Sequence, residues 1–212
     1  MTELSILKDN LRYLQQQGYS ALPANVESTA HLLQLAENVP HTLEDLLYVN
    51  LAIKEQKAAG IQFLVMDCDG VLTDGAMVFT KNGDEIKHFN AKDGLGIKLL
   101  RQQNILTGII SAGRSSGLVE SRAAMMKVDK VYVGKTPKWD ILQEWLRELQ
   151  LSPKAVAYIG DDLTDIPVME KVGLSFCPAD AAHAVKQTAH ITLRTPGGKG
   201  CVRELIERYL ED

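Results

Sequence analysis

Hydrophobic positions change their spacing once along this chain, near residue 60. Before that point Leu4, Ile6, Leu7, Leu11 and Leu14 recur at helical intervals, and Gly18 marks the end of the stretch. Ala21-Leu22-Pro23-Ala24 reads as a linker, and a second short helix follows Ser28. A third helix is expected from Thr42, where Asp45 supplies the acid of a capping box. Leu43, Leu46, Leu47, Leu51 and Ile53 line it until Gly60 stops it. Residues 1–57 are thus expected to form a helical extension. No constellation of reactive side chains lies within it, so it reads as an appendage or an oligomer contact.

From Ile61 onward, short apolar runs alternate with helical patterns. Strands are expected near 61–66, 105–110, 130–133, 155–159 and 173–177, with a weaker one at 190–193. Helical patterns lie near 94–103, 115–126, 137–149, 163–171 and 200–210. Such alternation predicts an α/β domain over 58–212, a Rossmann-like parallel sheet with helices on both faces. One stretch breaks the rule. Residues 77–89 hold two extended halves around Asn82-Gly83, which predicts a β-hairpin projecting after the first strand.

Composition narrows the function classes. Lys and Arg number 23 against 27 Asp and Glu, a net charge of -4, and no basic block appears; nucleic acid is not an expected partner. No apolar run reaches the roughly 18 residues of a membrane span. The start, MTELSILKDN, lacks the basic and apolar pattern of a signal peptide. Cys68, Cys177 and Cys201 form no CxxC and are odd in number, which suits reduced thiols in a cytoplasmic protein.

The chemistry concentrates at strand ends. Asp67 and Asp69 close the first strand at i, i+2 spacing, and Gly70 and Gly75 let the chain turn directly after them. Two adjacent acids repel, so holding them together calls for a cation or a shared proton. After the second sheet strand comes Ser111-Ala112-Gly113-Arg114, a hydroxyl and free backbone suited to a phosphate. After the third comes Gly134-Lys135-Thr136-Pro137-Lys138, where Pro137 fits a first helical turn and Lys138 can reach inward. After the fourth comes Gly160-Asp161-Asp162-Leu163-Thr164-Asp165. Oxygen ligands from two acidic turns describe a hard-cation site, Mg²⁺ rather than zinc.

Acids, hydroxyl, lysine and acids in this order resemble the haloacid dehalogenase superfamily, over about residues 61–212. The resemblance implies that Asp67 is a nucleophile forming an aspartyl-phosphate and that Asp69 acts as acid and base. It implies that Ser111 and Lys138 hold the transferring phosphoryl group. Mg²⁺ would be held by Asp67, the carbonyl of Asp69, and Asp161, with Asp162 and Asp165 in support. The superfamily usually reads Thr-Gly-Arg at the second turn, so Ser111 stands one residue upstream of the usual hydroxyl.

Only 44 positions separate Asp67 from Ser111 and 23 separate Lys138 from Asp161, which leaves no room for a cap domain. The segment DGVLTDG, the run His88-Phe89-Asn90-Ala91-Lys92-Asp93-Gly94, and Gly197-Gly198-Lys199-Gly200 resemble the capless phosphatases of sugar-acid phosphates. Those are tetramers whose hairpins complete adjacent sites and whose glycine-rich tail folds near an active site. The resemblance implies a homotetramer here. It also implies an octulosonate 8-phosphate as substrate, bound through Lys92, Asp93, Gly113, Arg114 and Arg122. Two guanidiniums, Arg114 and Arg122, suit the carboxylate of a 2-keto acid. A nonulosonate 9-phosphate, or a non-catalytic oligomerisation domain, are the alternatives.

Overall fold

A computed structural model describes residues 3–19, 22, 26, 28–82, 84–113 and 116–211. The chain divides into two compact units, residues 1–59 and 60–212.

Among its described residues the first unit holds four α-helices: α1 (Glu3–Gln16), α2 (Thr29–Glu37), α3 (Leu43–Tyr48) and α4 (Leu51–Lys57). Leu7, Leu11 and Leu14 are buried on α1, as its spacing predicts, together with Tyr13, whereas Leu4, expected on the same face, is 56% exposed. Thr42 and Asp45 make the capping box reciprocally at the start of α3. The expected third helix, however, is two helices. Val49 adopts extended backbone, and Asn50 caps α4 through Ile53 N–H. Buried Asn10 holds that break open: its amide donates to the carbonyls of Leu46 and Val49 at 3.0 and 2.7 Å, and its oxygen accepts from Leu51 N–H at 3.0 Å. A tertiary side chain thereby replaces the helical hydrogen bonds that the apolar spacing suggests.

The second unit is built on β1 (Phe63–Met66), followed by a small hairpin of β2 (Val78–Phe79) and β3 (Glu85–Ile86). Helix α5 (Ala91–Leu100) leads to β4 (Leu106–Ser111), and α6 (Ser116–Met126) to β5 (Lys130–Val133). Helix α7 (Lys138–Leu149) returns to β6 (Val156–Ile159), and α8 (Ile166–Met169) to β7 (Leu174–Cys177). Helix α9 (His183–Thr188), β8 (Ile191–Thr192) and α10 (Cys201–Leu205) complete it, with a π-helical turn at Ile206–Leu210. The sheet order is β5-β4-β1-β6-β7-β8, with every pairing parallel.

Residues of β1 and β6 are buried throughout, as strands covered on both faces must be. The chain winds outward from β1 through β4 to β5, then crosses back to β6 and out to β8. Helix α5 packs on α6 and α7 on α8, the grouping on opposite faces that right-handed crossovers through this strand order require. Gly108 on β4 leaves space for Phe63 and Trp145, whose rings lie 6.1 Å apart; a Cβ there would meet both at 2.9 Å. Neighbouring β1 and β6 mark where the winding reverses, and ligand crevices form at such points beyond the carboxyl ends of strands.

The expected hairpin is present but short. Val78 pairs with Ile86 and Phe79 with Glu85, and Thr80 N–H donates to the carbonyl of Asp84 at 2.8 Å. Helix α5 starts at Ala91, three residues ahead of its apolar pattern, because Asn90 caps it through Lys92 N–H. Helix α9 was not expected; its six residues are too few for a periodic signal.

Candidate active site

Four strand ends converge at that crevice. Asp67, directly after β1, donates its main-chain N–H to Ile159 on β6 at 3.0 Å, which extends the parallel ladder by one residue. The next turn bends at Gly70, whose φ of +86 belongs to the left-handed region. A Cβ on Gly70 would lie 2.0 Å from Asp161 Oδ2, so the glycine also admits the second acidic turn.

Asp165 organises this second turn. Its Oδ2 accepts from the main-chain N–H groups of Asp161 and Asp162 at 3.0 and 3.1 Å. Its Oδ1 accepts from the Tyr158 hydroxyl and from Lys138 Nζ, each at 2.6 Å. Lys138, on the first turn of α7, reaches Asp67 Oδ1 at 2.9 Å as well. Lys138 and Asp165 have almost no exposed side chain, so this is a dry ion-pair chain. Burial pulls the Lys138 ammonium down, but Asp67 and Asp165 outweigh it and hold its pKa above the ordinary value. Burial and the Asp165 charge push the Tyr158 hydroxyl well up, so it remains a donor.

Asp67, Asp161 and Asp165 bring carboxylate oxygens within 4.8 Å of one another. Burial, together with Asp165, raises the carboxyls of both Asp67 and Asp161 above the usual range, even with Lys138 alongside. Asp161 Oδ1 is buried and has no hydrogen-bond partner. An unsatisfied carboxylate oxygen among under-neutralised acids is the environment a hard cation fits. Asp165 already accepts four hydrogen bonds, which leaves Asp67 and Asp161 as the carboxylates open to such an ion. Asp162 is exposed and accepts from Leu163 N–H at 2.8 Å, capping the turn rather than facing the cluster.

Asp69 stands on the outer side. Its Oδ1 receives Lys87 Nζ at 2.6 Å and the Thr73 hydroxyl at 3.3 Å. Ser111, at the end of β4, is buried, and its Oγ accepts from Gly113 N–H at 3.2 Å. A Cβ on Gly113 would meet Ser111 Oγ at 3.2 Å and Asp69 Oδ2 at 3.3 Å, so this turn closes against the Asp69 carboxylate. The glycine-rich tail packs on the loop after Asp67. Gly198 N–H donates to Val71 O at 2.9 Å, and a Cβ on Gly197 would lie 2.0 Å from Gly70 O.

The remaining expected contacts are spread around this centre. Asp93 is buried, and its Oδ1 accepts from Arg203 N–H at 2.7 Å, capping α10 from α5. Arg122 donates to Asn90 O at 3.1 Å and lies over the Phe89 ring; its Nε is buried without a partner. Gly94 makes room for it, since a Cβ there would meet Arg122 Nη2 at 2.7 Å. Lys92 is exposed and borders a surface groove with Lys199, Arg203 and Glu204. Arg114 lies outside the described residues. Sequence reasoning missed Lys87 and Tyr158. A hairpin starting straight after the acids signals that some hairpin residue returns to them, but it does not say which.

This fold and this order of strand-end groups define a haloacid dehalogenase-like hydrolase, and residues 118–205 match that family. The chain is 43% identical over 154 residues to the 3-deoxy-D-manno-octulosonate 8-phosphate phosphatase of Escherichia coli K12, covering 73% of this chain and 81% of that one. The crystal structure of the Yersinia pestis enzyme of that name superposes with a TM-score of 0.71 at 42% identity, covering 74% of this chain and 84% of the other. The Moraxella catarrhalis enzyme, solved with a magnesium ion, a phosphate ion and a KDO molecule, gives 0.72 at 32% identity, covering 76% and 91%. The chain belongs to this family of 3-deoxy-D-manno-octulosonate 8-phosphate phosphatases.

Proposed function

We propose that the chain is a Mg²⁺-dependent phosphatase that hydrolyses 3-deoxy-D-manno-octulosonate 8-phosphate to the free sugar acid and phosphate, a step of lipopolysaccharide precursor synthesis. The observation that carries this reading is the grouping of the Asp67, Asp161 and Asp165 carboxylates within 4.8 Å, against the Lys138 ammonium. The relatives' shared activity supports it.

In this mechanism the Asp67 carboxylate attacks phosphorus, and the bond from phosphorus to the sugar's terminal oxygen breaks. Asp69 gives that oxygen a proton, and the sugar acid leaves. A water molecule then attacks the aspartyl-phosphate, passing its proton to Asp69 as the bond from Asp67 to phosphorus breaks. Phosphate leaves and both acids are restored. Two of the three Lys138 hydrogens go to Asp67 and Asp165, and the third is available to a phosphoryl oxygen. Ser111 accepts from Gly113 N–H, so its own hydroxyl hydrogen is available too. Asp67, the Asp69 carbonyl and Asp161 would hold Mg²⁺, which when bound would supply positive charge that offsets the charge of the phosphoryl group.

The substrate carboxylate is drawn to Arg122 and Arg114. Copies of the chain associate as a tetramer through the hairpin, whose Met77, Val78, Phe79 and Ile86 are exposed apolar side chains. The buried, unpaired Cys68, Cys177 and Cys201 suit a cytoplasmic enzyme.

The test is phosphate release from the octulosonate 8-phosphate beside a nonulosonate 9-phosphate, with Mg²⁺. The eight-carbon substrate is expected to show a kcat/KM about tenfold higher or more. A preference for the nine-carbon acid would move the assignment to nonulosonate phosphatases. Release from neither by folded protein would move the assignment to a different phosphate ester or to a non-catalytic domain.

A further inference from the structure

Among the described hairpin residues, Lys87 reaches the acid–base carboxylate. It lies 18 residues beyond Asp69, yet its Nζ stands 2.6 Å from Asp69 Oδ1 and 2.8 Å from Glu85 Oε1. Only 4% of its side chain is exposed. Alternation along the strand explains the placement: Glu85 and Lys87 share the face turned to Asp69, while Ile86, 45% exposed, points the other way. Lys87 and Thr73 both bind Oδ1. Oδ2, beside Gly113 and Ser111, accepts no such bond among the described residues.

We propose that Lys87 is a positioning residue for Asp69: by clamping Oδ1 it turns Oδ2 toward the leaving oxygen, tying the acid–base group to the hairpin. This rests on the reading of Asp69 as acid and base. A carboxylate on a turn that bends at Gly70 has rotational freedom unless one oxygen is held, and proton transfer requires the other within hydrogen-bond reach. Glu85 holds the lysine from behind, so the clamp is part of the hairpin. A displacement of the hairpin would therefore displace Asp69.

Leaving-group dependence separates this role from a merely structural one. An alkyl phosphate needs a proton at its departing oxygen, whereas p-nitrophenolate departs without one. The experiment compares kcat/KM for the octulosonate 8-phosphate and for p-nitrophenyl phosphate in the wild type, Lys87→Met, Lys87→Arg, Asp69→Asn and the Asp69→Asn/Lys87→Met double variant. Lys87→Met is expected to lower the sugar-phosphate value about 10²-fold and the p-nitrophenyl value by less than about fivefold. Lys87→Arg, which keeps the charge, should recover most of the loss, and the double variant should fall no further than Asp69→Asn alone.

Equal losses on both substrates in Lys87→Met, or additive losses in the double variant, would overturn the proposal while leaving Asp69 as acid. An Asp69→Asn protein that loses both substrates equally would overturn the acid assignment, and the Lys87 role with it. Should Lys87→Met misfold, Lys87→Gln carries the same expectations.

Discussion

Lys138 Nζ and Asp165 Oδ1 lie 2.6 Å apart in a pocket that exposes none of the Asp165 side chain. This pair links the third and fourth strand ends, and it sets where the Lys138 charge stands beside Asp67. Neutralising Asp165 leaves Asp67 as the one carboxylate on the Lys138 ammonium and weakens the bonds that Asp165 accepts from Tyr158, Asp161 and Asp162. Asp165→Asn is therefore expected to cost about 1–3 kcal/mol of stability and to abolish phosphate release. Urea titration checks the first outcome, and near-native stability would show that Asp165 does not carry the ion-pair chain.

Gly70 allows the two acidic turns to meet. Alanine there must adopt φ near +86 and carry a Cβ 2.0 Å from Asp161 Oδ2. Displacing the carboxylate proposed as a cation ligand should weaken Mg²⁺ binding by about 10–100-fold. Isothermal titration of Mg²⁺ into the purified variant and wild type measures this directly. Equal affinities would remove Asp161 from the metal site.

Asp93 gives a pH signature away from the reaction centre. Burial pushes its carboxyl from an ordinary 3.8 up to about 6, against the main-chain donors Arg203 and Val202 and the Arg122 charge. A carboxyl raised on folding stabilises the fold fully below its unfolded pKa, and that contribution is lost as pH rises through the folded value. The stability of the wild type relative to Asp93→Asn should thus fall between pH 4 and 6.5 by up to roughly 3 kcal/mol. A flat difference across that range would mean the Asp93 carboxyl does not titrate there.

Much of this was legible from residue types and order. A buried β1 ending in Asp67, and turns carrying Ser111, Lys138 and Asp161, follow from apolar runs closed by polar, glycine-containing segments. The parallel sheet follows from their alternation with helices. What the sequence hid depends on contacts between distant residues. Asn10 splits an expected helix into α3 and α4 through bonds to residues 36 to 41 positions away. Asp93 sits in a segment that resembles a substrate-binding run, yet it caps α10, 110 residues on. Lys87 looks like one more solvated charge in a polar hairpin until the fold brings it to Asp69. Tyr158 reads as an apolar strand residue, and only the arrival of Asp165 gives its hydroxyl a partner.

In the proposed mechanism Asp67 takes the phosphoryl group. The most direct measurement is phosphate release from 3-deoxy-D-manno-octulosonate 8-phosphate with Mg²⁺, by wild type and Asp67→Asn at matched folded concentrations. The wild type should turn over and the variant should lose about 10⁴-fold or more, since an amide is a poor nucleophile at that position. Asp67→Asn turning over within a few-fold of wild type would contradict that mechanism.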